Sequence, residues 1–227
     1  MKGIIISGTA RCGKSFLAKN IKEQKTLSIY QVDLLLIQSL GYKKPKNILE
    51  LQKTLNTYSK KKRFVNEKKN QTQILFNNKE SNKVLKYIKL SKNRAMPNYI
   101  IELIETINFY QKKKKWIAAD LNVEMIFDKL KRINKNIFLI VLMRNPIESN
   151  TASLYWRTFP NICDDSKKKF FYKLLHWKLT FNVAKNLKKK FPNSVKIIFL
   201  NELKETSKNY INFFNERCEL KKSFFEK

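Results

Sequence analysis

Glycine is almost missing from this chain. Only four glycines occur in 227 residues, and Gly3, Gly8 and Gly13 fall within the first thirteen. A chain so poor in glycine places it where the backbone must enter conformations that other residues avoid, or must approach another group closely. Histidine is also scarce: His176 is the single one. General acid–base chemistry is therefore expected to fall to carboxylates, with His176 a packed or surface residue. The three cysteines, Cys12, Cys163 and Cys218, are odd in number and lack metal-ligand spacing. They read as free thiols in a reducing cytoplasm, not as a disulfide framework or zinc site. No long apolar run is present. The longest, Ile137 to Met143, falls far short of the roughly 20 residues a membrane helix needs. The expectation is a cytoplasmic protein with no membrane partner and no leader to remove. Acidic residues are few, 18 Asp and Glu against 48 Lys and Arg, giving a formal net charge of +30. Such a balance permits nucleic-acid binding. The lysines, however, are spread along the whole chain, as in a solvated coat, and a nucleic-acid partner is not favoured.

What is there starts at the N-terminus. The apolar run Gly3-Ile4-Ile5-Ile6-Ser7 reads as a strand, and Phe16-Leu17-Ala18-Lys19-Asn20-Ile21 reads as a helix. Between them lies Gly8-Thr9-Ala10-Arg11-Cys12-Gly13-Lys14-Ser15, a phosphate loop in the strand–loop–helix setting that its chemistry requires. Glycines let backbone N–H groups close around an anion, and the helix N-terminus adds its dipole. Lys14 supplies a mobile cation and Ser15 a hydroxyl beside it.

A second short apolar run, residues 26–32, ends at Asp33. A carboxylate at that strand end lies on the ligand side of an open parallel sheet. It could bind an acceptor hydroxyl or act as its base, or it could cap the next helix. Residues 42–98 read as a helical insertion carrying the acceptor site or a lid. Asn47 opens one helix there, and Val84, Leu85, Ile88 and Leu90 suggest another. A helix from Pro97-Asn98 presents Ile100, Leu103, Ile104 and Ile107 on one face. The run 116–120 reads as a strand ending at Asp120, which could hold Mg²⁺ or make an N-cap or buried polar contact.

Val123, Ile126, Leu130 and Ile133 fall at helical spacing. Ile137–Met143 is a continuous apolar strand, as expected when both sheet faces are covered. It ends at Arg144, and Asn145-Pro146-Ile147-Glu148 opens a helix. The long helix over 167–190 is expected to turn Phe171, Leu175, Leu179 and Val183 inward. Met125 and Met143 read as core. A fifth strand spans 195–200, and Asn201-Glu202-Leu203-Lys204 leads into a last helix packed through Tyr210, Ile211, Phe213 and Phe214. Five strands alternating with helices predict one α/β domain over 1–227: a three-layer α/β/α sandwich on a five-stranded parallel sheet of the phosphate-loop type.

Three stretches resemble the sulfotransferases that use 3′-phosphoadenosine 5′-phosphosulfate. Thr9-Ala10-Arg11-Cys12-Gly13 is similar to their first phosphosulfate loop. Leu142-Met143-Arg144-Asn145-Pro146 followed by Ala152-Ser153-Leu154-Tyr155 resembles their 3′-phosphate motif. The late helix with Trp177, the strand 195–200 and Asn201-Glu202-Leu203-Lys204 resemble their C-terminal strand, acidic-Leu turn and helix. The resemblance covers residues 1–23 and about 115–215 and none of the 42–98 insertion. It implies that Gly8, Thr9, Ala10, Arg11, Cys12, Gly13, Lys14 and Ser15 hold the 5′-phosphosulfate and that Arg144 and Ser153 hold the 3′-phosphate. Asp33 or Asp120 would deprotonate a hydroxyl or amine acceptor, with no required metal. The family usually carries Thr where this chain has Lys14. The interval from Arg144 to Ser153 is one position longer than in the family, so Ser149 and Thr151 stand beside Ser153 as alternatives. Small-molecule phosphate-loop kinases are the second resemblance, through Gly13-Lys14-Ser15 and Asp33. They imply ATP and Mg²⁺ held by Ser15 and Asp120.

Overall fold

The computed structural model describes residues 2–14, 16–17, 21, 27–30, 46–47, 49–50, 82, 85–86, 101–102, 104–105, 108–109, 112–149 and 166–205. The expected site residues Ser15, Asp33 and Ser153, most of the 42–98 insertion, and the packing residues Tyr210 to Phe214 lie outside these. The chain forms two compact units. One comprises Met1–Gly3, Glu23–Asp120 and Lys129–Ile137; the other comprises Ile4–Lys22, Leu121–Asp128 and Phe138–Lys227.

In the first unit, β2 (Leu27–Tyr30) pairs in parallel with β3 (Lys115–Ala119), with Leu27 opposite Lys115 and Tyr30 opposite Ala118. The four residues Trp116 to Ala119 are buried. The Trp116 ring packs against Gly3 at the start of β1 (Lys2–Ser7), where a Cβ would stand 2.2 Å from the indole. The absent side chain makes room for the largest buried residue of this unit. Of the helix expected from Pro97, residues 101–102, 104–105 and 108–109 are described and helical: Ile101 and Ile104 are buried and Asn108 is fully enclosed. The Asn108 amide donates to the Lys115 carbonyl at 3.2 Å, so its burial leaves it satisfied. Ile100, Leu103 and Ile107 are outside the described residues. At the start of the insertion the Asn47 side chain accepts from the Glu50 N–H at 2.8 Å. The Glu50 carboxylate accepts from the Lys46 N–H at 2.6 Å. Reciprocal bonds of this kind satisfy the orphan donors of a helix start. Leu85 is helical and buried.

The second unit holds the rest of β1, β4 (Ile137–Met143, from Phe138 onward) and β5 (Val195–Phe199), hydrogen-bonded in the order β1-β4-β5. Strand β5 is parallel to β4, with Leu139 opposite Val195 and Met143 opposite Phe199. Every β4 residue but Phe138 is buried. A strand covered on both faces needs no polar alternation, and its sequence shows none. The fold is thus α/β with parallel strand pairing.

Three expectations about helix faces fail. The long helix, Ser166–Lys190 (α2), does not turn Phe171, Leu175 and Leu179 inward. They are 57%, 46% and 53% exposed, and Val183 is half-buried. Lys173, Thr180, Ala184 and Leu187 are buried instead. An α-helix advances about 100° per residue, so steps of four drift by about 40° each and leave the packed face. Steps of three and four alternated hold it, as 180, 184 and 187 do. The segment after β3 is also different. It opens as a 3₁₀ turn, Val123–Ile126, before α1 (Phe127–Ile133). The tighter turn moves the packed positions to Val123, Phe127 and Leu130, while Ile133 is exposed. For the same reason Met125 is exposed, whereas Met143 is core. The remaining described helix, α3, spans Leu200–Glu205.

Candidate functional site

Strand β1 ends at Ser7, and the chain enters the loop through Gly8 at φ 129°. A Cβ there would stand 2.1 Å from the Leu142 carbonyl oxygen and 3.1 Å from Cys12 Sγ. The loop therefore lies directly on the end of β4, which only a residue without a side chain allows. Arg11 sits at φ 61° and Gly13 at φ 95°. A left-handed arginine between two glycines is a rare, strained conformation of the sort concentrated at ligand sites. Alternating backbone handedness points successive N–H groups to one side and makes an anion-binding concavity. The helix begins at once: the Leu17 N–H donates to the Gly13 carbonyl at 2.9 Å.

Lys14 stands at that helix start and folds back over the loop. Its ammonium donates to the Gly8 carbonyl at 3.0 Å and the Thr9 carbonyl at 2.5 Å, and lies 3.5 Å from Cys12 Sγ. All three partners belong to the loop, so the cation is stored where an anion would enter. The Thr9 hydroxyl is buried with no hydrogen-bond partner. A buried hydroxyl without a partner is costly and is a place where a ligand oxygen is accommodated. Cys12 is a buried free thiol.

Beneath the loop entry lies a carboxylate that the sequence reading missed. Glu124 is buried, and its Oε2 accepts a short hydrogen bond from the Ser7 hydroxyl. The same hydroxyl accepts from the Val123 N–H at 2.9 Å. Ser7 is thus fixed from both directions, and with it the first residue of the loop. Glu124 Oε1 is buried and lacks a partner. The one available signal was an acid set among the apolar residues Val123, Met125 and Ile126.

His176 on α2 belongs to the same neighbourhood. Its Nε2 lies 2.9 Å from the side-chain oxygen of Asn122, a left-handed residue just before the 3₁₀ turn. Burial holds the imidazole below its ordinary pKa; the Glu124 carboxylate opposes that shift and the Lys14 ammonium adds to it. The unfolded chain therefore takes up this proton first on acidification. Stability contributed here is present above the ordinary histidine pKa and falls as pH drops through it, levelling off below the folded value. Urea midpoints at about pH 7.5 and about pH 5.5 should show the lower value in acid, and His176→Gln should narrow the gap.

Arg144 follows β4 directly. Its Nε pairs with Glu148 at 2.9 Å, one helical turn on, both side chains partly exposed. This pair occupies one of the five guanidinium N–H donors and leaves the terminal nitrogens for other partners. The Arg144 carbonyl accepts from the Trp177 indole at 2.9 Å. Trp177 in turn stacks on Phe181 with centroids 5.4 Å apart, and Phe181 tilts against Phe199 at 6.0 Å. The segment after Arg144 turns helical as expected, the Asn145 side chain capping the Ile147 N–H at 2.9 Å. Ser149 is buried there.

The second unit thus brings together Gly8 to Lys14, Glu124 and His176, and it also contains Arg144. Asp120 follows β3 in the first unit and is half-buried. Among the described residues no group of three or more His, Cys, Asp or Glu side chains is placed to hold a metal ion, and no helix is long and apolar enough to cross a membrane.

No protein-family model matches this chain, and no curated protein matches it. Among solved structures, the crystal structure of a sulfotransferase from Mycobacterium avium superimposes with a TM-score of 0.56 at 9% sequence identity. The match covers 95% of this chain and 63% of that one, so the chain spans less than two thirds of that enzyme's length. At this identity the likeness is one of fold.

Proposed function

We propose that this protein is a sulfotransferase-like enzyme that transfers a sulfuryl group from 3′-phosphoadenosine 5′-phosphosulfate to a hydroxyl or amine acceptor. The observation that carries the reading is the loop. Its left-handed turns, its stored lysine and the unpartnered Thr9 hydroxyl together suit an anionic group seated at the start of a helix. The phosphosulfate would supply the sulfuryl group: its S–O bond to the 5′-phosphate would break as a new bond from sulfur to the acceptor oxygen or nitrogen formed. The backbone from Gly8 to Gly13 and the side chains of Lys14 and Ser15 would hold the 5′ end. Lys14 would leave the loop carbonyls to neutralise charge gathering on the departing phosphate oxygen. Glu124 and Ser7 would keep the loop entry in register. Arg144 and Ser153, with Ser149 and Thr151 as alternatives to the serine, would hold the 3′-phosphate. Asp33 or Asp120 would take the acceptor proton.

The reading includes the finer architecture, five parallel strands in three layers with the 42–98 insertion near the acceptor, and a cytoplasmic setting, which suits the free thiol of Cys12. One calorimetric comparison tests it. Adenosine 3′,5′-bisphosphate should bind without Mg²⁺. Binding of ATP only with Mg²⁺, and no binding of the bisphosphate, would replace this reading with a phosphate-loop kinase. Steeply salt-dependent binding to any duplex would replace it with nucleic-acid binding.

A further inference from the structure

Resting on that reading, we infer that Trp177 is a positioning residue for the Arg144 guanidinium, and so for the second anionic end of the cofactor. Strand β4 pairs with β5 as far as Met143, which stands opposite Phe199. Arg144 is the first residue beyond. Its carbonyl accepts from the Trp177 indole on α2 at 2.9 Å. One turn further along α2, Phe181 stacks on that indole with 23° between the ring planes. Phe181 also meets Phe199, with centroids 6.0 Å apart. The contacts close a circuit from Arg144 to Met143, across to Phe199, through Phe181 and Trp177, and back to Arg144. It ties the helix to both strands at the point where the guanidinium leaves β4. Just past Arg144, the Asn145 carbonyl accepts from the Ser149 N–H at 2.9 Å. The backbone is thus held on both sides of residue 144.

A charged group grips a phosphate well when it is already in place, because ordering a long side chain on binding costs affinity. The pair of Arg144 with Glu148 cannot supply that order alone. It is partly exposed and spans one helical turn, and such pairs stabilise little. A fixed backbone must supply the rest, and the type of donor fits this task. An indole has one donor, no acceptor and few side-chain torsions, and here Phe181 pins its face. At the opposite end of β4, the Lys131 ammonium serves the Ile137 carbonyl at 2.9 Å. A lysine could satisfy the Arg144 carbonyl in the same way. Its flexible stem would not fix where that carbonyl lies.

Calorimetry on the full chain tests this with Trp177→Phe, which keeps a ring on Phe181 and removes the N–H. Adenosine 3′,5′-bisphosphate should lose about fivefold in affinity, while 5′-AMP binds as before. In the Arg144→Ala background the same change should cost the bisphosphate nothing, because the effect runs through the missing guanidinium. Phe181→Leu, which frees the indole face, should repeat the pattern and keeps the test open if Trp177→Phe does not fold. Equal losses for the two nucleotides, no loss for either, or a loss that persists without Arg144 would overturn the inference and leave Trp177 a packing residue. If the bisphosphate fails to bind the parent chain, the proposed function falls. Proton exchange at Arg144 Nε, followed by NMR on isotope-labelled protein and assigned through Arg144→Ala, then reads the positioning by itself. Trp177→Phe should speed that exchange, and an unchanged rate would refute the inference.

Discussion

Gly8→Ala should destabilise the protein by about 2–4 kcal/mol, a large share of the roughly 5–15 kcal/mol that a domain has. Two effects add. A φ of 129° is strained for any residue with a side chain. The new methyl would also stand 2.1 Å from the Leu142 carbonyl oxygen. That oxygen is backbone at the end of a buried strand, so it cannot move without shifting β4. Gly13→Ala is the internal comparison. Its φ of 95° is also strained, but the nearest atoms, at 3.2 and 3.3 Å, are the tips of the Leu200 side chain. They can give way, so the loss should be smaller. Urea midpoints of the two variants check the order; a Gly8→Ala midpoint equal to that of the parent chain would contradict the loop geometry.

Lys14→Ala should lower the transfer rate by about 10²–10³-fold, the range found when one preorganised donor to developing charge is removed. The fold should survive, because the Gly8 and Thr9 carbonyls that Lys14 serves are at a partly open site where water can replace it. Affinity for the bisphosphate should fall far less than the rate, since charge on the departing oxygen grows only as the bond breaks. Single-turnover rates with the sulfuryl donor, set beside calorimetric affinities, separate the two. Equal losses in both would make Lys14 a binding residue alone.

The loop was legible because its chemistry is local. Spacing, a strand before it and a helix after it are all features of nineteen consecutive residues, Gly3 to Ile21. Strand β4 was legible for a similar reason, since an uninterrupted apolar run can only be satisfied with both faces covered. The helix that opens at Asn145-Pro146 was legible from its capping residues, and it sets Glu148 one turn beyond Arg144. Glu124 was not legible. Its partner Ser7 lies 117 positions away, and the acid set among Val123, Met125 and Ile126 does not say what it pairs with. His176 was expected as a packed or surface residue; it is half-buried, and its bond to Asn122 depends on how α2 packs on the 3₁₀ turn. The face of α2 misled because hydrophobicity marks burial only when the packed side needs apolar volume. Here the packed side accepts Lys173, Thr180 and Ala184, and the larger apolar side chains go outward.

The account stands on one adenosine cofactor gripped at two separate anionic ends, the second by the guanidinium after β4. Calorimetry on Arg144→Ala, without Mg²⁺, addresses that most directly. Adenosine 3′,5′-bisphosphate should lose about tenfold or more in affinity, as for a charge-assisted hydrogen bond, while 5′-AMP should bind the variant and the parent chain alike. An equal loss for both nucleotides, or none for either, would contradict the two-ended grip.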